Sequence, residues 1–199
     1  MLRSAKRRLI VTSGAVLAGV LIVAAVVAAQ GGPEAPADLR KAIESEPLVK
    51  VLDLPSAEGA GARSMFVQPT SAGFLCVWDA PSASSKARQG GCNPSDDPLA
   101  GRAVSASLAY EGGPAADSVK DARLIGLATA ETEAVHVVMN DGSVRELRVK
   151  SARVGVDTFR AFGYRFKTAD LKKGLGPTMI VALDAKGAEI GRQPTGFGG

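Results

Sequence analysis

The only two cysteines and the only tryptophan of this 199-residue chain lie close together, in Phe74-Leu75-Cys76-Val77-Trp78-Asp79-Ala80 and Cys92-Asn93-Pro94. Paired thiols serve one of three chemistries: a structural staple, a redox couple or part of a metal centre. A redox couple is more often C-x-x-C, whereas 15 residues separate Cys76 from Cys92. A zinc centre needs further ligands, which a single histidine does not supply. A disulfide fits the pair if the compartment is oxidising. On the chain-entropy model, closing a loop of this size stabilises the fold by about 3 kcal/mol. Strand alternation places Phe74, Cys76 and Trp78 on one face, so the bridge is expected to pack among aromatic rings.

His136 is the one imidazole. It sits in an apolar run ahead of Asn140-Asp141-Gly142, and a three-residue hairpin loop there sets it opposite Glu146. That pairing suits a general base or a pH sensor, but base catalysis also needs a pocket and a nucleophile alongside. A solvent-facing strand residue is the plainer reading of His136. Ser82, Ser84, Ser85 and Lys86 invite comparison with serine–lysine hydrolases, but Ala83 occupies the position three before Lys86. Ser84, Ser85, Lys86 and Arg88 instead read as a polar loop available for contact with a partner. Asn93, Asp96 and Asp97 lack the residue order of an EF-hand and fit turns beside Pro94 and Pro98. No residue pattern calls for a cofactor or a metal.

The compartment follows from the amino terminus. Arg3, Lys6, Arg7 and Arg8 precede a run of 21 residues, 9–29, that contains no charge. At about 1.5 Å per residue such a run spans about 31 Å, the thickness of a bilayer's hydrocarbon core. The cations ahead of it keep the amino terminus in the cytoplasm and send the remainder outside. A signal peptide cleaved near Ala29 is the alternative, although the run exceeds the usual ~7–15-residue apolar region. The expected localisation is therefore a bacterial plasma membrane, single-pass, or secretion after cleavage. Four of the 24 Lys and Arg lie in residues 1–8, and all 20 Asp and Glu lie beyond residue 29, so the exported part is formally neutral. Its charge implies no nucleic-acid partner.

Residues 30–37 read as a Gly/Pro-rich linker, and 38–46 as a short helix capped by Asp38, either a stalk or a lid. Short apolar or alternating runs at 62–68, 73–79, 102–110 and 123–128 suggest strands. Hairpins are expected at 135–149 and 179–192, around Asp141-Gly142 and Lys186-Gly187. A strand at 158–166 turns Phe162, Tyr164 and Phe166 to one side, which a domain poor in aromatics should place in its core. Residues 80–101 read as a long loop and 195–199 as a flexible tail. The stretch 115–128 has a helical alternative, weakened by Gly126.

These elements predict a mainly β antiparallel sandwich or barrel-like domain over 60–194, behind a basic tail at 1–8 and one membrane helix. The functional expectation is a non-enzymatic envelope domain that binds another envelope protein or a wall component, or has a structural or accessory role with no ligand of its own. The alternative is an envelope hydrolase or transferase built on His136.

Overall fold

A computed structural model describes residues 35–56, 61–112 and 119–196. The chain order is α1 (Ala37–Ser45), β1 (Val49–Asp53), β2 (Ser64–Pro69), β3 (Phe74–Ala80), β4 (Gln89–Pro94), β5 (Val104–Gly112), β6 (Val119–Ala128), β7 (Ala134–Met139), β8 (Val144–Arg148), β9 (Lys150–Val154), β10 (Asp157–Arg165), α2 (Thr168–Leu171), β11 (Pro177–Leu183) and β12 (Glu189–Pro194). The protein is mainly β, and every strand pairing is antiparallel.

Where two facing sheets or a barrel were expected, there are three four-stranded sheets. A helix-side sheet runs β1-β2-β3-β4, a central sheet β5-β6-β10-β9, and an outer sheet β12-β11-β7-β8. Their order in space follows from which side chains share a core. Val104, Leu124 and Phe162 of the central sheet pack with Val135, Val137 and Ile180 of the outer sheet. Ile125, Leu127 and Ala161, one residue out of phase on the same central strands, pack with Met65, Val67 and Leu75 of the helix-side sheet. Leu39 of α1 then covers Phe66, Cys76 and Trp78 on the far face of that sheet. The result is a stack of helix, sheet, sheet and sheet.

The central and outer sheets approach a closed barrel along one edge. There the Gln193 side-chain amide accepts from Ala106 N–H at 2.7 Å and donates to Ala106 C=O at 3.1 Å, doing for β5 what a neighbouring strand would do.

Both predicted hairpins have three-residue loops. In the first, Met139 N–H donates to Ser143 C=O and Gly142 adopts φ +79°. In the second, Asp184 N–H donates to Ala188 C=O and Gly187 adopts φ +76°. The phenylalanines of the aromatic stripe are core residues, and the Tyr164 and Phe166 rings meet edge to face at 4.9 Å.

Several expectations are corrected. Residues 80–101 are not all loop, because β4 pairs with β3 within them. β4 is hard to read because it contains Gly90 and Gly91 and no β-branched residue. The helix starts behind Pro36, whose fixed φ of −51° and extended ψ set the boundary, so Asp38 lies within the first turn and is not the cap. β1 and β9 were not foreseen; each is a five-residue edge strand with Lys or Arg among its few apolar residues. Tyr110 keeps the phase of Val104 and Leu108 and lies opposite Ala122, but toward the end of β5 it is 46% exposed.

No helix among the described residues is long and apolar enough to cross a membrane. The basic tail at 1–8, the apolar run at 9–29 and the last three residues of the expected tail lie outside the described residues.

Gly126 discriminates between strand and helix over 115–128. A Cβ at Gly126 would stand 2.3 Å from the Phe162 ring and 2.6 Å from Ser105 C=O. Gly126→Ala is therefore expected to destabilise the protein by about 1–3 kcal/mol in urea titration, through overpacking. In a helix interior the same change would have stabilised it by up to about 1 kcal/mol.

Candidate functional site

Cys76 and Cys92 sit directly opposite each other on β3 and β4 and form a disulfide, with Cα atoms 3.9 Å apart. As alternation requires, Cys76 shares its face with Trp78 and Phe74, and that face lies under α1. The bridge thus fastens a glycine-containing edge strand that has little propensity to pair unaided. Close approach makes Gly90 obligatory, since a Cβ there would stand 1.8 Å from Val77 C=O.

The same hairpin secures α1. Trp78 Nε1 donates to Gln68 Oε1 at 2.9 Å, and Gln68 Nε2 donates to the backbone oxygens of Ile43 at 3.2 Å and Glu46 at 2.7 Å. These two carbonyls belong to the carboxy-terminal end of the helix, which lacks intrahelical partners. Arg88 donates to Ile43 C=O as well, and its guanidinium lies 5.0 Å from the Trp78 ring centroid. Burial lowers the Arg88 pKa, while Glu44 opposes the shift. The Glu46 carboxylate accepts from Ser71 N–H and Oγ, tying the helix end to the β2–β3 turn. Of the stalk and the lid, α1 has the position of the lid.

The other residues singled out from sequence are scattered. Ser84 and Lys86 are exposed in the β3–β4 connection, whereas Ser85 Oγ accepts from Ala87 N–H and Arg88 is committed to α1. His136 faces Glu146 in the expected register, with Nε2 3.6 Å from Oε2, and Val181 lies on its other side. This places it on the outer face of the outer sheet. Asn93 Nδ2 donates to Pro98 C=O and Asp97 accepts from Gly101 N–H, which are turn roles. Among the described residues no cluster of three or more His, Cys, Asp or Glu side chains is placed to hold a metal.

Sequence reasoning missed a chain of buried ions between the helix-side and central sheets. Asp79 of β3 accepts from Arg63 Nη2 and from Arg123 Nε, each at 2.6 Å. Arg123 also reaches Asp121, and Asp121 accepts from Arg165 Nε at 2.9 Å and Nη2 at 2.6 Å. Arg165 closes the chain on Gly61 C=O at 3.0 Å. Glu111, half exposed at its mouth, lies 3.4 Å from Arg63 and 3.3 Å from Arg123. Three guanidiniums thus meet three carboxylates, and among the described residues no buried side-chain polar atom lacks a partner. The available signal was phase. Asp79 alternates with Leu75 and Val77, and Asp121 and Arg123 with Ile125 and Leu127, so all three share the inward phase of their strands.

The opposite end of this interface is apolar and open. A cleft of about 360 Å³ lies between Pro69 and Leu75 of the helix-side sheet and Val154, Val156 and Phe159 of the β9–β10 hairpin. Val156, at the hairpin tip, is 90% exposed. The interface therefore has an ionic pole, an apolar middle and an apolar mouth.

Acid should act through the ionic pole. Burial opposes ionisation of Asp121, but its bonds to Arg165 and Arg123 prevail and hold its pKa below the usual carboxylate value of 3.8. The stabilisation is complete above the carboxylate range and is lost as pH falls through the lowered pKa. Denaturant midpoints should accordingly drop on the acid side of about pH 4, and Asp121→Asn should flatten that limb. Asp79→Ala, which removes the buried carboxylate shared by Arg63 and Arg123 and leaves them facing each other with only Asp121 and half-exposed Glu111 as counterions, should cost about 3–5 kcal/mol at neutral pH in the same titration.

Compared with protein-family models, curated proteins and solved structures, the chain has no match.

Proposed function

We propose that this chain is a membrane-tethered, extracytoplasmic β domain of a bacterial envelope that works by binding, either as a partner module for another envelope protein or as an accessory that contacts the wall. The observation that carries the reading is the Cys76–Cys92 disulfide, which joins the only two cysteines in the sequence. Structural disulfides persist in oxidising compartments, and the basic tail followed by 21 uncharged residues is a topology signal for the same destination. The architecture supports binding over catalysis. Its polar groups are spent on internal order: Gln68 and Arg88 on α1, and Asp79, Asp121 and three arginines on the interface between sheets. Ser84 and Lys86 remain exposed on the disulfide-closed connection as a contact surface. His136 has Val181 and Glu146 as its strand neighbours, a setting that gives the hydrolase or transferase reading no nucleophile to build on.

The test is the mass of the mature protein in membrane and culture fractions, after alkylation with and without reductant. The expected result is a chain that retains residues 1–29, stays with the membrane, and takes up two alkyl groups only after reduction. Recovery in the medium of a chain beginning near Gln30 would replace the anchor with secretion. Alkylation of both thiols without reductant would overturn export altogether.

A further inference from the structure

The apolar cleft and the point where the amino-terminal segment enters the domain lie at the same end of the molecule. Asp38, in the first turn of α1, shares a second cleft with Ser71 and Ala72 of the β2–β3 turn. Ala35, the first described residue, packs on the same cluster as Ala72 and Phe74. Pro69 and Leu75, which close the β2–β3 hairpin, line the apolar cleft on the other face of that sheet. Between the end of the uncharged run at Ala29 and Ala35 there are only five residues, 30–34, so the two are at most about 22 Å apart when the segment is fully extended. Strands of six and seven residues, the lengths of β2 and β3, are each about 20 Å or more long. Even fully extended, the tether is about as long as the sheet is tall, and it joins the domain at the apolar pole. The ionic pole, marked by Asp79, Glu111 and exposed Tyr110, is at the other end of the same strands.

From this juxtaposition we infer that the apolar pole rests on the lipid surface, with Val156 at the β9–β10 tip entering the headgroup–acyl boundary and the cleft behind it turned toward the bilayer. The inference rests on residues 9–29 being a membrane anchor. The occupant follows from reach: a surface within about 22 Å of Ala35 is the surface this pole meets first. Val156 is 90% exposed and continues the apolar lining of the cleft formed by Pro69, Leu75, Val154 and Phe159 out to the hairpin tip. Charges around this pole are mixed, with Lys41 beside Asp38 and Glu46, and Arg153 across the hairpin from Thr158, next to Asp157. The contact is therefore apolar in origin and does not depend on anionic lipid. Tethering supplies the local concentration that so small a contact needs.

The full chain, reconstituted into phosphatidylcholine vesicles with and without brominated acyl chains, tests the inference. Val156→Trp and Tyr110→Trp each add one indole, and emission is read as the difference from the unsubstituted chain, in which Trp78 stays buried. Bromine should quench the added emission at position 156 and leave that at position 110 unchanged, and raised salt should not alter the result. Equal quenching at both positions, or none at 156, in chains that resist extraction at alkaline pH overturns the lipid contact and leaves the anchor standing. Extraction of the chain from the vesicles at alkaline pH overturns the anchor and this inference with it.

Discussion

The central sheet is covered on both faces, and most of the architecture follows from that constraint. All eight positions from Asp121 to Ala128 on β6 are buried. One set, Ala122, Leu124 and Ala128, faces the outer sheet, while Ile125 and Leu127 face the helix-side sheet. A strand in such a place cannot keep a polar face for solvent. Asp121 and Arg123 are nonetheless part of it, and they need partners supplied across the interface. Asp79 comes from β3 and Arg165 from the neighbouring β10. A buried ionic chain of this kind is poor in net stabilisation but intolerant of misplacement, since any slip leaves a charge without its counterion. Its position at one end of an otherwise apolar interface fixes the register in which the two sheets meet.

The helix-side sheet depends on this junction and in turn carries α1. Its inner face is committed to the central sheet, and its outer face holds the disulfide, Trp78 and the Gln68 relay to the helix end. The bridge keeps β4 in register, β4 leads back to Arg88, and Arg88 reaches Ile43 over the indole. Structural cysteines, the single tryptophan and the first helix thus form one assembly rather than three separate features. Because α1 is the first described element of the chain, this assembly sets where the amino-terminal segment enters the domain.

The sequence was most legible where one local signal sufficed. Asp141-Gly142 and Lys186-Gly187 placed both hairpin loops, and the first of them set His136 opposite Glu146. Alternation put Cys76 and Trp78 on one face and the phenylalanines of the 158–166 strand in the core. Strands whose pairing depends on tertiary context were hidden. β4 has two glycines and relies on a covalent bridge, while β1 and β9 are edge strands with charged residues on their open sides. The ion chain was illegible for a related reason. Charged residues in a strand are ordinarily read as facing solvent, and only the stacking of three sheets turns Asp79 and Arg123 inward. Lack of alternation along β6 was the trace of that stacking, but a buried strand in a two-layer sandwich with a covered edge would leave much the same trace.

If the doubly covered central strand is what the rest of the molecule depends on, its backbone amides should open last. Native-state hydrogen exchange on the oxidised protein measures this directly. The account predicts that the amides of Asp121 to Ala128 exchange only through global unfolding, while those of α1 and β4 open first through smaller fluctuations. Exchange of the β6 amides as early as those of α1 would contradict it.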